Sequence, residues 1–181
     1  MDEHQRSLIN SLERARDSLL ASIEGLDESF DASGAPVFGD WTLRDVMAHL
    51  VSWGDELRSE IRAILIDPTP HYSYVISSDR DYDEWNQSQV AVRKSSSMRE
   101  ILDELERDYQ ETLDLIKRLA PDDMRRHGVV PWKIEQLPPP TEVTPENSTR
   151  VADLVKIHIQ HIEEHSEEIK HWRRQGETPA L

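Results

Sequence analysis

Half of the eight histidines fall in one stretch, KIHIQHIEEHSEEIKHW at residues 156–172, as His158, His161, His165 and His171. Their spacing decides whether they share chemistry. On a helix advancing about 100° per residue, with His158 at zero, His161 lies near ~300° and His165 near ~340°. Ile162 lies near ~40°, and Val155 and Ile169 fall in the same arc. Three imidazoles therefore sit on the apolar face, while His171 points away from it and is expected to be solvated. An i, i+4 histidine pair can share one metal ion because the side chains stack over consecutive turns. His161 and His165 have that spacing, and His158 and His161 have the slightly poorer i, i+3. His158 and His165 are two turns apart, about 10 Å along the axis, too far to meet easily at one ion alone. The chelating pair is therefore His161 with either His165 or His158.

Two helix histidines leave a metal under-coordinated, so a third ligand must come from another element. His49 is the best candidate, because it lies among Val46, Leu50 and Trp53 beside the apolar stripe of an earlier helix. Three histidines with open positions for water are the pattern of catalytic zinc sites. The competing reading is a set of core histidines that only hydrogen-bond. It is weakened by the cost of burying three imidazoles without partners.

These side chains need a scaffold, and composition constrains it. The 181 residues fit a single domain, 1–181, long enough to bury a core. No apolar leader or bilayer-length run is evident, so a cytoplasmic protein without membrane partners is expected. Cysteine is absent, which excludes disulfides, thiolate nucleophiles and Cys-ligated metals. Any metal must be held by His, Asp or Glu. Thirty-six acidic against twenty-one basic residues give a net charge of −15. A surface so acidic is expected to repel phosphate backbones, so no nucleic-acid partner is anticipated.

Four segments have helical periodicity. Residues 3–26 carry Leu8, Leu12, Ala15, Leu19, Ile23 and Leu26 at steps of three and four. GDWTLRDVMAHLVSWGDELRSEIRAIL follows, with Asp40 or Thr42 as cap and Thr42 with Asp45 as a weak capping box; Pro68 and Pro70 stop it. Residues 97–119 begin at Ser97 with Glu100 three later, and residues 148–174 begin at Ser148 or Thr149. Two long connections, 67–96 and 120–147, join them. The first holds DYDEWNQSQVAVRK, a candidate short helix with Trp85 and Val92. The second holds VPWKIEQLPPPTEVTP, too proline-rich for a helix interior. Long connections of this kind often form walls of sites. The fold class is all-α, a four-helix bundle with two long crossover connections.

DWTLRDVMAHL resembles the W-[ST]-x-x-[DE]-[VIL]-x-x-H-[LI] signature of the DinB/YfiT-like superfamily, and HIEEHSEEI resembles its H-x-x-x-H-x-x-x-[IL] in the last helix. YDEWNQSQV and SMREILDELERDYQETLDLIKRL resemble the DfsB/ClbS-type branch. This resemblance implies a four-helix bundle of unusual connection order, often dimeric. It also implies a divalent metal, usually nickel or zinc, held by three histidines. Carried onto this sequence they are His49, His161 and His165, which settles the register against His158. The superfamily includes thiol-dependent isomerases and transferases, hydrolases, and many members without known activity. The proline-rich connection departs from the family's motifs, so it transfers no substrate.

The expected function is a metal-dependent enzyme that activates water or a low-molecular-weight thiol against an electrophilic small molecule. Glu164 or Glu168 would orient a ligand imidazole or relay a proton, and His158 is a further acid–base candidate. Trp41, Trp53 and Trp132 are candidates to line an apolar substrate pocket, with plain core as the alternative for the first two. The other class is a non-catalytic bundle that binds a metal or small ligand. A fourth protein ligand from His158, Glu164 or Asp45 would favour it.

Overall fold

The computed structural model of the chain describes residues 1–26, 34–69, 72, 74–135 and 141–176. Its long helices are α1 (Glu3–Ile23), α2 (Leu43–Ile66), α4 (Met98–Arg118) and α6 (Val151–Gly176), with a shorter α3 (Asp79–Val92) and one-turn α5 (Pro121–Arg125). Each begins where local chemistry favours it. Asp2 accepts from the Gln5 amide at 2.8 Å to cap α1. Ser97 and Glu100 form the expected reciprocal cap of α4. Periodicity carries α1 to Leu26, but the helix stops at Ile23 because Gly25 turns left-handed at φ 77°. Pro70 and residues 136–140 of the proline-rich connection lie outside the described residues.

Thr42 caps α2 in both directions. Its hydroxyl accepts from the Asp45 amide at 3.2 Å, and the Asp45 carboxylate accepts from the Thr42 amide at 3.0 Å. Thr42→Ala should cost about 1 kcal/mol. In a thermal melt followed by circular dichroism, that is a Tm drop of roughly 2–4 °C for a chain of this size.

Two small antiparallel sheets were not legible as strands in the sequence. β1 (Pro36–Phe38) pairs with β2 (Trp41–Thr42) in a hairpin that turns at Gly39, φ 53°. β3 (His127–Gly128) pairs with β4 (Thr149–Arg150). The second pairing replaces the expected Ser148 or Thr149 start of the last helix. The Val151 amide donates to the Arg126 carbonyl at 3.0 Å, so the α6 N-terminus is tied to the preceding connection.

Packing defines the bundle order. α1 lies against α6 and α4, while α2 lies against α4 and α6, so α1 and α2 sit on one diagonal. Cross-helix bonds give the directions. Ser18 meets Ser166 and Arg173 reaches the Ser22 carbonyl, so α1 and α6 run parallel. Gln5 donates to the Ile116 and Leu119 carbonyls while Arg16 pairs with Glu106, so α1 and α4 run antiparallel. Parallel neighbours α2 and α4 need a connection that returns the length of the bundle. The segment carrying α3 makes that return and packs α3 on α2. The second long connection joins α4 to α6 across the other diagonal, so both long connections expected from the sequence cross the bundle.

One core runs through all four long helices, with Leu12, Met47, Leu50, Ile61, Ile101, Ile116, Leu154 and Ile169 almost wholly shielded from water. Each such side chain contributes about 1.5–3 kcal/mol of burial. Among the described residues, no helix is long and apolar enough to cross a membrane.

Candidate metal centre

α2 and α6 run antiparallel, and His49 on one meets His161 and His165 on the other. The His49 Nε2 lies 2.9 Å from the His161 Nε2, which lies 3.0 Å from the His165 Nε2. All three donor atoms fall within 4.8 Å of one another. An Nε2 carries either one hydrogen or one in-plane lone pair, so that of His161 cannot satisfy both neighbours. Protein hydrogen bonding alone leaves this cluster in conflict. One cation that accepts three lone pairs resolves it, and an all-nitrogen set suits zinc or nickel. The residues fit a divalent metal.

The rings are held for that task. His165 Nδ1 lies 2.7 Å from the Glu168 carboxylate, which fixes the proton on Nδ1 and leaves the Nε2 lone pair facing the cluster. Of the two glutamates expected near the site, Glu168 orients the imidazole. Glu164 is exposed and stands at the mouth of the adjoining cavity. Trp41 packs edge-on against His49 at 4.9 Å between ring centroids, and Phe38 does so against His165 at 6.0 Å. The β1–β2 hairpin thus buttresses two imidazoles. His49 Nδ1 has no hydrogen-bond partner among the described residues.

Burial, and secondarily the nearby His165, lowers the His49 pKa to about 3. Burial and then His165, His49 and His158 lower that of His161 to about 2. Both rings are therefore neutral near pH 7, the state that a metal needs. His158 is buried, and desolvation followed by the Arg58 charge lowers its pKa to about 4. It does not join the three-histidine group. His171 is exposed and contacts Gln175, as its helical phase predicts.

A cavity of about 410 Å³ opens beside the cluster. Trp53 and Trp132 line it as expected, whereas Trp41 is not among its walls. Tyr82, Asn86 and Glu60 also line it, and spacing alone assigns none of them a site role. Asn86 accepts from the Trp53 indole at 3.0 Å. Glu60 had a usable signal, since eleven residues beyond His49 bring it about 20° from His49 on the α2 wheel.

A buried three-histidine cluster that fits a metal, set in a bundle with diagonal connections, defines a class of protein, and comparison identifies it. The sequence matches the DinB superfamily model over residues 11–169, and the chain belongs to that superfamily. No curated protein matches it. Among solved structures it resembles the sibling lethal factor precursor DfsB, with TM-score 0.71 and 16% identity over 99% of this chain and 100% of DfsB. It also resembles YfiT from Bacillus subtilis, described as a probable metal-dependent hydrolase with an unusual four-helix bundle topology; the TM-score is 0.69, with 17% identity over 98% of this chain and 91% of YfiT. A third neighbour is the colibactin self-resistance protein ClbS in complex with double-stranded DNA, with TM-score 0.69 and 11% identity over 97% of each chain. These likenesses establish the fold.

The ClbS complex overturns one expectation. Net acidity alone implies that nucleic acid is excluded, yet a protein of this fold is seen bound to DNA. Net charge is a sum over the whole surface, whereas phosphate contact depends on local cations and donors.

Proposed function

We propose that this chain is a divalent-metal-dependent enzyme in which His49, His161 and His165 hold the ion. Its substrate is an electrophilic small molecule, and its nucleophile is water or a low-molecular-weight thiol. The convergence of three Nε2 atoms, which no arrangement of protons satisfies, carries this reading. When bound, a metal there would lower the pKa of a coordinated water or thiol and so supply a nucleophile at neutral pH. The protein's part is positional. Glu168 holds the His165 tautomer, Trp41 and Phe38 fix two ring planes, and Trp53 and Trp132 shield the cavity from water.

An enzyme fits better than a sequestering site because no fourth donor closes the cluster among the described residues. Asp45 is engaged in capping α2, Glu164 faces solvent and His158 stands apart. The open side of the cluster faces the cavity. His158, neutral and lining that cavity, can accept a hydrogen bond from a bound nucleophile or substrate, while burial and the Arg58 charge oppose its protonation.

The test is elemental analysis of the untagged protein after zinc and nickel supplementation, followed by a screen of electrophiles with water and with thiols. Stoichiometric metal and turnover of one class establish the reading; a metal-free protein removes it. Glu168→Gln should weaken metal affinity about 10- to 100-fold, measured by chelator competition, because a neutral amide holds the imidazole less firmly.

A further inference from the structure

Glu60 is 1% exposed, yet its Oε1 has no hydrogen-bond partner among the described residues. It lines the same cavity as the imidazoles. Among the described residues, Glu56 on its own helix, Tyr72 and Tyr74 of the following connection, Tyr82 on α3 and His158 on α6 are the titratable groups around it. None of these is a cation near pH 7, since burial keeps His158 neutral. Burial first, and the Glu56 charge second, hold the Glu60 carboxyl well above the usual carboxylate range. A buried acid without a cation or donor is costly to keep unless something else occupies the space beside it.

The rest of the cavity indicates what that occupant is. Along α2 its wall runs His49, Trp53, Leu57, Glu60, and antiparallel α6 supplies His161, His158 and Leu154 opposite. The trough is therefore about 16 Å long between its end residues on α2, with imidazoles at one end and a carboxyl at the other. Aromatic faces crowd the middle. The Trp53 ring lies 4.5 Å from Trp85, 5.9 Å from Trp132 and 6.4 Å from Tyr82 by centroids. Indole and phenol faces attract organic cations within about 6 Å, more strongly once water is excluded. A carboxylate beside them adds a charge-assisted hydrogen bond.

We propose that the trough takes an elongated substrate bearing a protonated amine, with its nitrogen seated between Glu60 and the Trp53–Trp132 aromatic wall and its reactive end at the three imidazoles. This rests on the metal-enzyme reading and adds a substrate class to it. A neutral substrate leaves Glu60 unpaired, and an anionic group at that end meets a carboxyl with no cationic side chain in the wall among the described residues. An ammonium offsets the burial that otherwise disfavours the charged carboxylate, and its alkyl chain lies along Leu57 and Leu154.

Hexylammonium and hexanol, matched in length and differing in charge, are the probes, titrated against tryptophan fluorescence. Wild-type protein should bind hexylammonium at least tenfold more tightly than hexanol. Glu60→Gln, nearly isosteric, should bring that ratio close to one while hexanol affinity and metal content stay unchanged. His161→Ala should keep the ratio, because the carboxyl that sets it stands on α2 eleven residues beyond His49, at the other end of the trough. Equal binding of the two probes by wild type overturns the proposal without any variant. So does an undiminished preference in Glu60→Gln. A preference lost in His161→Ala but kept in Glu60→Gln would place the amine at the imidazoles and overturn it as well. A metal-free wild type that retains the Glu60-dependent preference leaves the ammonium subsite standing and removes only the metal chemistry.

Discussion

His161→Ala should purify with less than about a tenth of the divalent metal that the wild type carries. Its Nε2 is the shared point of the cluster, in contact with both His49 and His165, so its removal leaves two donors on opposite helices. Structural zinc sites with four protein ligands bind with about 10–16 kcal/mol, so one ligand is worth roughly 3–4 kcal/mol. That corresponds to a fall in affinity of about two to three orders of magnitude. His171→Ala is the control on helical phase. Its exposed ring meets Gln175, and metal content should not change. A loss in the control equal to that in His161→Ala would remove the cluster as the binding site. Equal metal in wild type and His161→Ala would do the same.

Gly54→Ala should destabilise the fold by about 3–5 kcal/mol, the usual cost of breaking a buried ion pair. Helix propensity alone argues the opposite, since alanine in a helix interior is favoured over glycine by about 1 kcal/mol. Packing reverses the sign. A Cβ at residue 54 would lie 2.0 Å from Asp108 Oδ2 and 2.5 Å from its Cγ. That carboxylate cannot swing away, because it pairs with the Arg58 guanidinium, which also donates to the Asp108 carbonyl at 3.0 Å and to Thr112 at 2.9 Å. Arg58 and Asp108 are both buried, so displacing one strands a charge. Urea denaturation reads the effect as a lower midpoint at unchanged slope. A variant as stable as the wild type, or more so, would show that α2 and α4 separate at no cost.

The metal cluster shows how far spacing reaches. His161 and His165 were placed on one face by the helical repeat, which acts locally and is written in the sequence. Spacing could not choose between His165 and His158, because both lie on the apolar arc. Family resemblance made that choice, and the folded chain brings His165 rather than His158 to His49. The short strands were unreadable because two- and three-residue bridges carry no periodicity. They are fixed by the chain segments they pair with, and one of those pairings moved the start of α6 to Val151. The nucleic-acid exclusion failed for a related reason: a summed charge does not say where charges lie.

By itself the sequence determined the four amphipathic helices, the caps at Thr42 and Ser97, the absence of thiol ligands and the imidazoles on the last helix. These follow from interactions within one or two helical turns, or from composition. Tertiary structure decided that α2 faces α6 antiparallel and that Trp41 supports an imidazole instead of lining the cavity. It also decided that Glu60 lies buried at the far end of the trough from His49. Those outcomes depend on which helix faces which and at what depth, and packing of the whole chain sets both.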